Sequence, residues 1–235
     1  MDRGLAADVI ASPLVDRARA RLGLAYVLSA LGVFAVLFAL VRTNRSAAAD
    51  LAITLRLQRR RWPWLERLMW LVSWPGFPPQ SRLLPPLLAL LWWRLGLRLE
   101  ASMQLLAWGT SGISGFFKLL MRRKRPAAPE VRVVVARLGG SSFPSGHVLN
   151  YIGTFGVLAY LVQTLVRPAA LRRPIVASLV AAIILVGPSR IYEGHHWPTD
   201  VLASYLLGTS YLAGIIALYQ RLKATDASPG RFGSA

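Results

Sequence analysis

Three short polar stretches interrupt an otherwise apolar chain, and each carries residue types suited to holding an anion. The first, KLLMRRKRP, occupies residues 118–126; the second, SSFPSGH, residues 141–147; the third, SRIYEGHHWPTD, residues 189–200. Lys118 and Arg125 are seven positions apart, close to two helical turns, so both cations point to one side of a helix until Pro126 stops it. Pro144-Ser145-Gly146-His147 reads as a helix start: its first-turn amides and the positive end of its dipole attract an oxyanion, and glycine permits close approach. The third stretch adds Arg190, a planar fork of donors, and sets a histidine and Asp200 on either side of Pro198, at a first helical position. A carboxylate that accepts the far ring N–H of a histidine fixes its tautomer and makes the near nitrogen a better nucleophile.

Taken singly, these signals have ordinary explanations. Lys118 suits a snorkelling juxtamembrane cation, Ser145 a helix N-cap, and His147 a hydrogen-bonded structural residue. Together they supply what phosphoryl transfer needs: positive charge for the equatorial oxygens, an attacking atom and an opposed proton donor. The sequence contains no carboxylate cluster or histidine set with metal-ligand spacing, so the cations are expected to replace a metal, and no cofactor is expected.

The elements that position these residues are apolar helices. Of 235 residues 54% are hydrophobic and 16% charged, with a mean hydropathy of +0.45. Residues 22–41 carry no charge and match the ~20 residues that cross a ~30 Å hydrocarbon layer. Further apolar runs at 85–97, 101–117, 148–166, 174–189 and 201–220 bring the expected number of spans to six. The 85–97 run is the weakest, with eleven uncharged residues between Arg82 and Arg94. Residues 43–67 mix leucines with arginines and tryptophans and suit a helix lying in the interface. The expectation is an all-α integral membrane bundle of six spans plus an interfacial helix, one domain over residues 1–235, with polar tails at 1–21 and 221–235. The first run is too long for a signal-peptide core and is followed by other spans. The chain has no cysteine, which rules out disulfides and thiolate metal sites. Its net charge of +18 sits mainly between apolar runs, which favours membrane lipid headgroups or a phosphorylated lipid over nucleic acid as partner. If residues 148–189 cross the bilayer twice, all three polar stretches emerge on one face.

At these positions the chain resembles the type 2 phosphatidic acid phosphatase superfamily, whose signature is Lys-x6-Arg-Pro, Pro-Ser-Gly-His and Ser-Arg-x5-His-x3-Asp. Every signature position is filled, in order, over residues 118–200. The register selects His196 over His195, which becomes a neighbour at the pocket rim. The resemblance implies that His196 attacks phosphorus and carries a phosphohistidine, that Asp200 orients it, and that His147 protonates the leaving oxygen. It also implies that Lys118, Arg125, Arg190 and Ser145 with the Gly146 amide hold the phosphate. The implied activity is hydrolysis of a lipid phosphate or diphosphate, with undecaprenyl diphosphate, phosphatidylglycerophosphate and phosphatidic acid as candidates given an alanine- and arginine-rich composition of bacterial kind. Transfer of the phosphoryl group to a lipid or sugar acceptor, and a non-enzymatic lipid-binding membrane protein, are the alternatives; a vanadate haloperoxidase would require a soluble chain. The oligomeric state stays open. The resemblance implies a multi-pass protein of the inner membrane with its site facing the periplasm or exterior. Charge opposes this at first, with sixteen Lys and Arg on the motif face and twelve on the other. With Lys118, Arg125 and Arg190 set aside, thirteen face twelve and the positive-inside bias no longer decides.

Overall fold

A computed structural model describes residues 13–134 and 139–226. Among these residues there are nine α-helices and no strand. Four are long and apolar enough to cross a membrane: α1 (Pro13–Arg42), α7 (Gly146–Leu165), α8 (Ala169–Tyr192) and α9 (Pro198–Asp226). Helix α7 is the most enclosed of them, as expected of an element packed against α8, α9 and α6 at once. The helices run beyond the apolar stretches, so residues 18–21 and 221–225, expected as polar tails, continue α1 and α9. The outer parts of those tails lie outside the described residues.

The two other expected spans are built differently. Helix α4 (Gln80–Arg94) has 15 residues, about 22 Å of rise, and begins before the run predicted at 85–97, carrying Pro85 and Pro86 inside it. Proline at position 85 removes the amide that would bond the Ser81 carbonyl. The Asn150 side chain donates to that carbonyl instead, at 3.4 Å, so the bond is replaced rather than lost. The run at 101–117 is not one helix but two, α5 (Arg98–Ala107) and α6 (Gly109–Met121), broken at Trp108. The break frees carbonyls, and side chains take them: Tyr211 donates to Leu106 O at 2.8 Å and Thr110 to Ala107 O at 3.0 Å. In an apolar layer each unsatisfied carbonyl would cost several kcal/mol. Gly153 of α7 faces this break; a Cβ there would stand 2.6 Å from Ala107 O, so only glycine lets α7 approach so closely.

The expected single interfacial helix is also two, α2 (Ala47–Gln58) and α3 (Pro63–Ser73). The first stops at Gln58, and Pro63 opens the second, since proline lacks an amide hydrogen but suits a first helical turn. A 3-10 turn at Trp74–Gly76 then leads into α4, where the proline-rich sequence predicts a break. Apolar packing around the start of α7 fixes the site. Phe34, Met121, Phe143, Leu149 and Leu207 cluster on one side of it, and Val148, Tyr151, Ile152, Val186 and Val201 on the other.

Candidate active site

All three polar stretches contribute to one cavity of about 380 Å³, lined by Lys118 and Arg125, by Gly146 and His147, and by His196. Ser145, Arg190 and Asp200 are fully buried and form the layer behind it. A larger recess of about 600 Å³ lies on the other side of Arg125, against α2 and Trp197, and neither of the buried histidines 195 and 196 lines it.

Helix α6 delivers Lys118 in its last turn and ends where Arg122 adopts a left-handed conformation, φ 47°. The chain then runs extended and presents Arg125. Its guanidinium is held by backbone carbonyls, donating to His195 O at 2.8 Å and Ser141 O at 3.3 Å, and its Nη1 stands 3.3 Å from His196 Nε2. Gly146, the first residue of α7, lies against α6: a Cβ there would be 3.3 Å from Ser114 Oγ and 3.4 Å from Lys118 Nζ. The amides of Gly146, His147 and Val148 open the helix and have no intrahelical acceptor, so the cations and the helix N-terminus face the same volume.

His196 is 2% exposed. Its Nδ1 lies 2.7 Å from the Ser142 carbonyl and 3.7 Å from Asp200 Oδ2. The carbonyl only accepts, so it keeps the proton on Nδ1 and leaves the lone pair on Nε2. The expected carboxylate thus shares Nδ1 with a backbone carbonyl, which is the nearer of the two. Ser142 can serve because residues 141–142 pair with 123–124: Ser142 N donates to Arg123 O at 2.9 Å and Arg123 N to Ser141 Oγ at 3.0 Å. Burial pushes the His196 imidazole down to about 4, helped by the positive charge of Arg125 and opposed by Asp200.

Asp200 is also occupied elsewhere. It accepts the Trp197 amide at 2.8 Å, capping α9, and the Arg123 guanidinium at 2.5 Å. Arg123 also reaches Asp50 of α2 at 2.6 Å, and Asp50 in turn accepts the Thr199 amide at 2.9 Å. One guanidinium thus joins two buried carboxylates from distant helices.

Arg190, expected to point its fork at the phosphate, does not line the cavity; its guanidinium lies behind His147 and Phe77, which do. It is paired with Glu193, its Nη1 lies 3.2 Å from His147 Nε2 and 3.0 Å from His195 Nδ1, and its guanidinium covers the Phe77 ring. The cause is local: Glu193 lies one helical turn beyond Arg190, its amide still donating to Ser189 O at 2.9 Å, so α8 itself pairs the two, and Gly194, at φ +71°, then turns the chain so that His195 folds back over the arginine. His195 is consequently buried in this cluster and not at the pocket rim. Ser145 is the N-cap of α7, and its amide donates to Ser204 Oγ at 2.7 Å. Its own Oγ and that of Ser114 are buried without a hydrogen-bond partner among the described residues. Asp50, Ser114, Arg123, Ser142 and Glu193 are the residues of this region that motif spacing does not reveal. Among the described residues no three His, Asp or Glu side chains form a metal-binding group.

The arrangement is that of a helical membrane protein whose cavity is lined by cations, a helix N-terminus and two imidazoles. The PAP2 superfamily profile matches residues 100–224, more than half of the chain, and the chain belongs to that superfamily. It is similar to phosphatidylglycerophosphatase B of Bacillus subtilis (strain 168), 33% identical over 190 residues that cover 74% of this chain and 85% of the relative. Undecaprenyl-diphosphatase BcrC of the same organism is 34% identical over 105 residues, 42% of this chain and 49% of the relative. The crystal structure of the transmembrane PAP2-type phosphatidylglycerolphosphate phosphatase from B. subtilis superposes with a TM-score of 0.71 at 26% identity, covering 87% of this chain and 98% of the other. LpxE of Aquifex aeolicus shares the fold, with a TM-score of 0.54 at 23% identity over 72% of this chain and 93% of its own.

Proposed function

We propose that this chain is a membrane lipid phosphatase that hydrolyses lipid phosphates or diphosphates through a phosphohistidine. The observation that carries the proposal is the convergence of Lys118, Arg125, Gly146, His147 and His196 on one cavity from three separate segments. The phosphate oxygens bind Lys118 and Arg125 and the first amides of α7. As Arg125 transfers its hydrogen bond to the phosphate, Nε2 of His196 is freed and attacks phosphorus. The N–P bond forms as the P–O bond to the lipid breaks, and His147 gives its proton to the leaving oxygen. A water molecule then attacks the phosphohistidine, His147 takes its proton, and inorganic phosphate leaves. Arg190 keeps His147 in place and supplies positive charge behind it. The Ser142 carbonyl and Asp200 orient His196, Asp200 chiefly by capping α9 and fixing the preceding loop. The similarity to phosphatidylglycerophosphatase B and undecaprenyl-diphosphatase supports a lipid carrying phosphate as substrate.

The test is release of inorganic phosphate by protein purified in detergent, offered phosphatidic acid, phosphatidylglycerophosphate and undecaprenyl diphosphate with and without chelator. Release that survives chelation is the expected result. Release from none of the three lipids would end the proposal, and loss on chelation would end its metal-free chemistry.

We further propose six crossings, with α4 and the broken pair α5–α6 completing the four long helices, in the inner membrane with the site on the periplasmic face. Both chain ends then lie in the cytoplasm. A C-terminal reporter that is active only in the periplasm is expected to be silent; activity would overturn either the orientation or the number of crossings.

A further inference from the structure

The cavity extends well past the catalytic groups. Beyond His147 it is lined by Asn150, one turn further along α7, by Ser81 and Arg82 in the first turn of α4, and by Ser111 of α6. Arg82 is exposed, and among the described residues its side chain has neither a carboxylate partner nor a hydrogen bond. The backbone that carries it is nonetheless tied to the site. Asn150 donates to the Ser81 carbonyl at 3.4 Å, which ties the turn carrying Arg82 to the helix carrying His147. Along α7 the lining therefore runs from Gly146, which Lys118 adjoins, through His147 to Asn150, which bonds the turn that carries the further cation Arg82.

The direction of the reaction decides what this further cation is for. In an in-line displacement the leaving group departs on the side of phosphorus opposite the attacking nitrogen. With His196 attacking and His147 protonating the leaving oxygen, the leaving group passes His147 toward Asn150, Ser81 and Arg82. A neutral diacylglycerol leaving group gives an arginine there nothing to bind. We infer that Arg82, with the Ser81 and Ser111 hydroxyls, forms a subsite for a second phosphate carried by the leaving group, so that the substrate bears phosphate on both sides of the bond that breaks. This rests on the reading of the cavity as a phosphatase site. The second phosphate has two chemical sources, the inner phosphate of a prenyl diphosphate or the phosphodiester of a phosphatidylglycerophosphate, and the two place it at different distances from the scissile bond.

The test compares Arg82→Ala with the unaltered protein on three lipids: undecaprenyl diphosphate, phosphatidylglycerophosphate and phosphatidic acid. A guanidinium bond to a charged oxygen contributes about 1.5 kcal/mol or more, so kcat/KM is expected to fall about tenfold on at least one of the two substrates with a second phosphate. On phosphatidic acid the change is expected to stay below twofold. Whichever of the two substrates loses more identifies the source of the second phosphate. Arg82→Lys is expected to recover most of the loss, since a cation suffices. An equal fall on all three lipids, or no fall on any, would overturn the subsite while leaving the phosphatase intact. Absence of phosphate release by the unaltered protein would instead overturn the reading on which the subsite rests.

Discussion

His196→Ala is expected to abolish phosphate release, with kcat down by at least about 10⁴-fold, the scale on which removal of a covalent nucleophile acts. No neighbouring group replaces it. The Nε2 atom faces the cavity with its proton excluded by the Ser142 carbonyl, whereas His195 is folded into the cluster with Arg190 and Glu193. His195→Ala therefore makes the control, and retained turnover there beside its loss in His196→Ala separates the two adjacent histidines. The same geometry sets a pH dependence. Burial lowers the His196 imidazole to about 4, and a lowered value means that the neutral, attacking form persists further into acid. With the ionisations of the lipid phosphate and of the proton donor His147 divided out, kcat/KM is expected to stay level from pH 7 to about pH 5 and to fall as His196 protonates near 4. An acid limb centred at the ordinary histidine value would show that the nucleophile is not this buried ring. Substantial turnover by His196→Ala would remove the covalent route altogether.

Arg123→Met is expected to be the most destabilising single change outside the cavity. It leaves Asp50 and Asp200, which are 1% and 0% exposed, as buried carboxylates without their shared countercharge. Breaking such a pair by removing one partner costs about 3–5 kcal/mol. The expected result is a clear drop in the thermal midpoint in detergent together with loss of activity, because α2, the 123–124 strip under Ser142 and the start of α9 are all joined through this guanidinium. Arg123→Lys is expected to recover little, since one ammonium cannot serve two carboxylates as a planar fork does. Pairing Arg123→Met with Asp50→Asn should restore part of the midpoint by removing one stranded charge. An unchanged midpoint in Arg123→Met would show that the bridge contributes nothing to the fold.

The two predictions differ in how far the sequence reveals them. His196 is legible because a nucleophile must be a particular side chain at a particular spacing from its partners. The convergence of Lys118, Arg125 and His147 follows from the parity of crossings and from helix starts and stops. The partner of His196 Nδ1 is not legible, since a carbonyl such as that of Ser142 belongs to every residue and leaves no compositional mark. Arg123 stands among Arg122, Lys124 and Arg125, and nothing in that run distinguishes the one whose partners are 73 and 77 positions away. The pairing of Arg190 is hidden for a related reason: Glu193 looks like loop filler until α8 is seen to run up to it, one turn beyond the arginine, and the positive φ at Gly194 brings His195 back onto the guanidinium. In the fold, the apolar runs predict the four long helices well. The break at Trp108 is not legible because hydropathy continues across it, and Tyr211 and Thr110, which take the freed carbonyls, mark the place in the fold.

Arg125 gives the resting site a safety catch. Its Nη1 covers the lone pair of His196 Nε2 while three backbone carbonyls, those of His195, Ser141 and Gly139, keep the guanidinium in position. An electrophile without negative charge has no means of drawing that cover aside, whereas a phosphate does so as it docks. On the proposed mechanism, selectivity for the cargo and arming of the enzyme become a single event, and an unprotonated imidazole can be kept beside the bilayer without reacting with the neutral esters that surround it.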